Sequence, residues 1–207
     1  VDPACGYSPS EIPTTQAYRV GPGGELADVV VYIDLAPSPR DRSPDREFSK
    51  VTLDVARCLF SPKIIAFQTG QLISVVNRDA MIHTLSMEGP RIPPAMAVNR
   101  ALLPGQSRSL GPYTNVVDLI PLRCMLHPWM YAYLSSFDHP YFQVTGTNGL
   151  FRIPDVPAGA HTLVARHRKL GWLKSSILVD PAAPEGDIDF TFSIPHPSAD
   201  AGGVSAR

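Results

Sequence analysis

The chain is predicted to be all-β, built from short antiparallel strands, and three observations carry that prediction. Apolar and β-branched residues come in short runs, either continuous or alternating with polar ones, as strands require. The 22 prolines, roughly twice average usage, combine with glycine-bearing turns to cut the chain at short intervals. No stretch carries the apolar period of an amphipathic helix.

Taken in order, residues 1–15 are polar and proline-bearing and read as an extended arm. Residues 26–35 (LADVVVYIDL) are the strongest strand signal, and 36–47 (APSPRDRSPDRE) read as a loop or linker. Strand pattern resumes with the alternation of Val51, Leu53 and Val55. It continues at 64–67 and 72–76, either side of a Thr69-Gly70 turn, and in a short strand at 84–87. Residues 91–103 are irregular, with room for a helical turn; Pro104-Gly105 is a turn and 116–122 a strand. A strand at 131–137 breaks at Asp138-His139-Pro140. Beyond it, strands are expected at 141–144, 150–153, 161–166, 172–179 and 188–193, with turns at 147–149 and 154–159. Residues 195–207 are small and polar, a disordered tail by composition.

The net charge of −1 gives no whole-protein field to attract nucleic acid or an anionic membrane. No apolar run approaches the roughly 20 residues of a membrane helix. The sequence opens on Val1 and is read as a processed, exported form, placing it in the periplasm or outside the cell.

The chemistry concentrates in the stretch CMLHPWM, residues 124–130. A thiolate, an imidazole and a thioether (Cys124, His127 and Met130) fall together between two strands. Two His and one Cys in a plane, with a long axial Met, are the donor set of a blue-copper electron-transfer site. His83, directly after the 72–76 strand and its loop, is the candidate for the second imidazole. Zinc also takes Cys and His, but a Met ligand argues against it. A dinuclear copper site would need a second Cys in the loop, and catalytic copper sites need further His clusters; no His-x-His occurs. With Cys124 assigned to metal, Cys5 and Cys58 either form one disulfide or stay as two inert thiols. A lipidated Cys5 is disfavoured because four residues precede it.

The stretches VNRDAMIHTL (76–85) and CMLHPWM resemble the amicyanin branch of the cupredoxin family. FSPKI (60–64), Gly70-Gln71, Asn77 and LPGQS (103–107) extend the resemblance over residues 50–138. It implies a Greek-key β-sandwich with one type 1 copper on His83, Cys124, His127 and Met130. It further implies that His127 meets solvent by one edge, where electrons pass, with Met125, Pro128 and Trp129 in a docking surface framed by Met81, Ile82, Ile92, Pro93 and Pro94. Two positions depart from the family: Thr84 stands where an Asn commonly ties the ligand loops together, and Met125 where a small polar residue is usual. Both touch the surroundings that tune the metal.

Residues 144–164 (VTGTNGLFRIPDVPAGAHTLV) resemble the carboxypeptidase regulatory-like domain, a small transthyretin-like β-sandwich. That domain normally begins with a strand of the kind at 28–35. The expected organisation is therefore one discontinuous domain, 16–36 with 139–194, into which the copper domain, 48–138, is inserted. The simpler arrangement gives the first strand to the copper domain. His161, His167, Asp155, Asp187 and Asp189 form no recognisable catalytic set or calcium loop. The expected function is an extracytoplasmic, non-enzymatic carrier of single electrons. Its partner would be a redox protein such as a c-type cytochrome, a dehydrogenase or an oxidase complex. The alternative is a copper-binding structural subunit of a larger membrane or redox complex.

Overall fold

The structure, a computed structural model, describes residues 5–7, 16–35, 50–182 and 186–193. Most of the expected arm, the 36–47 loop and the 195–207 tail lie outside the described residues. The chain is all-β, with three sheets and, among the described residues, no α-helix.

Two sheets face each other. One has the order β4 (Ile64–Gln68), β10 (Tyr131–Phe137), β9 (Val117–Arg123), β6 (His83–Met87) and β7 (Val98–Leu102). The other runs β3 (Leu59–Ser61), β2 (Val51–Ala56), β5 (Ile73–Asn77) and β8 (Ser107–Leu110). The pairs β4–β10 and β2–β5 are parallel and the remaining pairs antiparallel. Alternation decides what faces inward. Leu53 and Val55, Ile73 and Val75, and Leu122 with Leu134 meet in a continuous core. This is a two-sheet β-sandwich with non-neighbour connections, all-β as the strand pattern predicts, but its two parallel pairs depart from the expected antiparallel build.

A third sheet has the order β11 (Phe142–Val144), β1 (Val30–Ile33), β12 (Gly159–His167) and β13 (Gly171–Val179), antiparallel throughout. β1 lies in its middle, with Val30 opposite Val144 on one side and Ile33 opposite Leu163 on the other. One face of this sheet packs on the sandwich. Val30 and Phe142 meet Ile64, Leu119 and Phe137, with ring centroids 4.7 Å apart between Phe137 and Phe142 and 4.9 Å between Phe137 and Tyr32. The opposite face carries Val31, Ile33, Leu163 and Ala165 under Phe151, Ile153, Ile188 and Phe190. β1 is thus buried on both faces, which accounts for its continuous rather than alternating apolar run.

The differences from the sequence reading are local. Residues 150–153 and 188–193 cover the third sheet as extended chain without ladder pairing, where strands were expected. Their alternating apolar residues suit packing on a sheet as well as pairing within one. The 91–103 segment contains the strand β7 as well as one 3₁₀ turn, Pro94–Met96. β3 and β8, of three and four residues, were not anticipated.

Where the third sheet meets the sandwich, cations and tyrosines stack. The Arg168 guanidinium lies 4.6 Å from the Tyr131 ring and 5.3 Å from that of Tyr133, and donates to the Tyr131 hydroxyl at 2.8 Å. The Lys63 ammonium sits 4.9 Å from the same Tyr131 ring. Burial, reinforced by Arg168, lowers the Lys63 pKa to about 8; Asp28 opposes this and Arg19 adds to it. A lysine with a depressed folded-state pKa penalises the folded protein while it is charged. The unfolded chain therefore binds more protons between about pH 8 and the ordinary 10.5, and stability from this group rises with pH across that window. The expected result is a urea midpoint that climbs from pH 8 to 10.5 in the wild type relative to Lys63→Met. Parallel profiles for the two proteins would contradict it.

Candidate metal centre

The loop 124–130 joins two antiparallel neighbours, β9 and β10, at one end of the sandwich. The Cys124 amide donates to Met130 O at 3.2 Å and the Met130 amide to His127 O at 2.9 Å, which folds the loop tightly on itself. His83 opens β6, the strand beside β9. Asn77, at the end of β5 and 1% exposed, fixes the approach to it. Its side-chain amide donates to the carbonyls of Met81, Leu102 and Leu103, and its oxygen accepts the Asp79 amide.

Three donor atoms converge in the interior. His83 Nδ1 and His127 Nδ1 are 3.2 Å apart, and Cys124 Sγ lies 3.9 Å from the first and 3.6 Å from the second. All three residues are buried, and Met130, wholly buried, closes the loop beside them. Donors at about 2.0 Å (nitrogen) and 2.3 Å (sulfur) around one ion at trigonal to tetrahedral angles stand roughly 3–4 Å from each other. The triangle has those dimensions, and a thiolate with two imidazoles, with a methionine on the same loop, suits copper. The residues present fit the ion.

The surroundings orient the donors and favour the thiolate of Cys124. His83 Nε2 is 2.9 Å from Asp79 Oδ2, which turns Nδ1 inward. Burial alone would lower the His83 pKa, but its bonds to Cys124 and Asp79 hold it above the ordinary value. Burial likewise pushes the Cys124 thiol up. Hydrogen bonds from His83, the Thr84 amide, His127 and the Thr84 hydroxyl outweigh it and bring the pKa down to about 6. Cys124 is therefore a thiolate at neutral pH, the form that binds metal. Thr84 also ties the two ligand loops together. Its amide donates to Cys124 Sγ at 3.4 Å, and its hydroxyl oxygen accepts the Met125 amide at 2.7 Å.

Asp79 was not singled out from the sequence, and the signal available was its place four residues before His83. Its carboxylate accepts the amides of Arg57 at 2.6 Å and Cys58 at 2.9 Å as well as facing His83. Asp79→Ala strands these donors. Copper affinity is expected to fall about 10–100-fold, as for other residues that orient a ligand. Stability should fall by roughly 1–3 kcal/mol, the cost of an unmet buried donor. Competition with a copper chelator and urea unfolding read the two; unchanged affinity would remove Asp79 from the site.

The other predicted residues are placed as follows. Met125 is 63% exposed and Leu126 56%, Pro128 is exposed, and Trp129 is half-buried. Trp129 packs on His127 with ring centroids 5.3 Å apart, and its Nε1 donates to Cys58 O at 3.2 Å. His127 is 4% exposed, so only a small part of it meets solvent. A disulfide between Cys5 and Cys58 lies beside it, with both sulfurs within 4.8 Å of a His127 ligand atom. Of the framing residues, Ile82 (47%) and Pro94 are exposed, Met81 and Pro93 half-buried, and Ile92 buried. His161 faces Pro157 O at 2.7 Å. His167 is buried, which lowers its pKa, and receives the amides of Lys169 and Leu170. Neither these histidines nor Asp155, Asp187 or Asp189 joins a metal-sized cluster among the described residues.

No protein-family model matches this chain, and no curated protein matches it. Several solved structures are similar. A copper-containing nitrite reductase (NirK) from Thermus scotoductus SA-01 is 17% identical over 43% of this chain and 22% of its own, with a TM-score of 0.38. This chain thus spans about a fifth of that enzyme's length. An amicyanin variant in its Cu(I) state is 18% identical over 52% of this chain and 98% of its own, TM-score 0.39. A purple cupredoxin from Nitrosopumilus maritimus is 14% identical over 42% of this chain and 99% of its own, TM-score 0.35.

Proposed function

We propose that this protein is an extracytoplasmic type 1 copper protein that carries single electrons between redox partners. The observation that carries the reading is the buried triangle of His83 Nδ1, His127 Nδ1 and Cys124 Sγ, with Met130 closing the same loop. Copper bound there would supply a one-electron Cu(II)/Cu(I) couple. The chain supplies a rigid, dry donor set. Asp79 and Thr84 fix His83 and Cys124 in place, so little rearrangement accompanies the change of charge. The protein makes and breaks no substrate bonds in this reading. The Cys5–Cys58 disulfide supports an oxidising compartment, and no helix among the described residues is long and apolar enough to cross a membrane.

The same reading divides the chain into a copper domain, 48–138, inserted into a second, transthyretin-like domain, 16–36 with 139–194. The pairing of β1 with β11 and β12 supports that division. Docking is assigned to the apolar surface of Ile82, Met125, Leu126 and Pro128, one residue from Cys124, and its occupant is a redox protein such as a c-type cytochrome. Met125→Glu is expected to slow electron exchange with such a partner by about tenfold or more, as a charge at an apolar interface should, while the copper spectrum stays unchanged. Equal exchange rates would place docking elsewhere. The founding test is visible absorption and electron paramagnetic resonance on Cu(II)-loaded protein. An intense thiolate-to-copper band with narrow hyperfine splitting supports the reading, and a colourless folded protein rejects it.

A further inference from the structure

The disulfide is not a remote staple. Cys5 and Cys58 are 3% and 0% exposed, and their sulfurs sit with a His127 ring nitrogen inside a 4.8 Å cluster. A fourth soft atom touches it: Met81 Sδ is 3.3 Å from Cys58 Sγ. Cys58 also clusters with Asp79 and His83 at metal-ligand spacing. Two sulfurs, a thioether and an imidazole are the donors that select Cu(I).

The backbone is built to keep Cys58 in place whether or not the sulfurs are bonded. Arg57 and Cys58 form the two-residue turn between β2 and β3, both in the left-handed region at φ 52° and 51°. Neither is the glycine or asparagine such a turn prefers, and conformations of this kind persist only where their surroundings over-determine them. One carboxylate does so here, since Asp79 receives both turn amides. Trp129 Nε1 holds the Cys58 carbonyl. On the arm, the Tyr7 hydroxyl donates to Arg57 O at 2.6 Å and its ring lies under the Arg57 guanidinium at 4.8 Å. The segment bearing Cys5 is therefore tethered independently of the S–S bond.

We infer that Cys5, Cys58, Met81 and His127 form a second, thiol-dependent Cu(I) site that opens when the disulfide is reduced. A dithiol gives two electrons and two protons to the disulfide and becomes a disulfide itself, leaving Cys5 and Cys58 as thiols. Cu(I) then displaces thiol protons to solvent, with no change in its own oxidation state. Because His127 belongs to both donor sets, this site adjoins the Cys124 triangle and is placed to pass an ion to it. The inference extends the proposed function but does not require electron transfer.

The test uses Cys124→Ser protein, which keeps all four donors, titrated with Cu(I) against a chromogenic Cu(I) chelator. It is run with the disulfide intact and after reduction by a phosphine, which is oxidised to its oxide with oxygen from water. The expected result is one Cu(I) per chain bound at least about 100-fold more tightly after reduction, more than the loss of a merely supporting residue would account for. That gain should disappear when Cys5→Ser and Cys58→Ser are added. Equal affinity before and after reduction, or tight binding that survives the two serines, overturns the proposal. A second measurement needs no variant: alkylation of Cys58 in reduced wild-type protein, followed under slow local opening with and without excess Cu(I), should be slower with Cu(I), and equal rates refute the site. The visible band of oxidised, Cu(II)-loaded wild type reports on the electron carrier separately, so either idea can fail alone.

Discussion

Cys124→Ala is expected to abolish the thiolate-to-copper band completely and to widen the copper hyperfine splitting. It should also weaken copper binding by more than the roughly 10–100-fold that follows loss of a supporting residue. The reasoning is electronic as well as geometric. Cys124 supplies the thiolate of the triangle with His83 and His127, and it is the group whose pKa the site brings to about 6. Without it, two imidazoles and a thioether remain, a set with no anionic donor. The side chain is small and sits at a loop end, so the sandwich should still fold, and circular dichroism should be unchanged. Retention of an intense visible band in the variant would mean that another donor binds the ion, and the triangle would cease to be the copper site.

Phe137→Ala should have the largest effect on stability, about 3–5 kcal/mol. Phe137 is 7% exposed and contacts three aromatic neighbours, Tyr32, Phe142 and His139, at centroid distances of 4.9, 4.7 and 5.6 Å. It belongs to the cluster that joins the third sheet to the sandwich, so truncation opens a cavity between layers. It also lies at the far end of β10 from Met130, roughly 20 Å away at the usual strand rise. The copper spectrum of the variant should therefore match that of the wild type. Urea unfolding measures the first expectation; a loss under about 1 kcal/mol would mean that this face is not packed in solution.

What the sequence disclosed follows from how local each signal is. Cys124, His127 and Met130 share one seven-residue loop, so their grouping needs no knowledge of the fold. The central strands are legible because burial on one face writes alternation into β2 and burial on both writes a continuous run into β1. β7 was hidden because Asn99, Arg100 and Ala101 face solvent, leaving only its ends apolar. The role of Asp79 was hidden for another reason: a carboxylate in a loop looks solvated until the turn it caps is seen. The disulfide's nearness to His127 depends on contacts between residues 5, 58 and 127, and no local pattern records such a meeting. The outer cover misled because alternation reports a buried face, not a hydrogen-bonded neighbour.

The position of β1 has a consequence for the order of events during synthesis. The Val29 amide donates to Thr145 Oγ1 across 116 residues, and both strands that flank β1 are made after everything between them. For a flexible loop of that length, closure alone would cost about 4 kcal/mol. Here the intervening chain contains a complete two-sheet unit, whose collapse draws its own entry and exit together. β1 leaves the ribosome before the intervening sandwich and is registered after it, between strands made downstream. Slow folding of the intervening sandwich would then delay the closure of the third sheet, leaving an apolar strand with two open edges as the most vulnerable species on the way to the native fold.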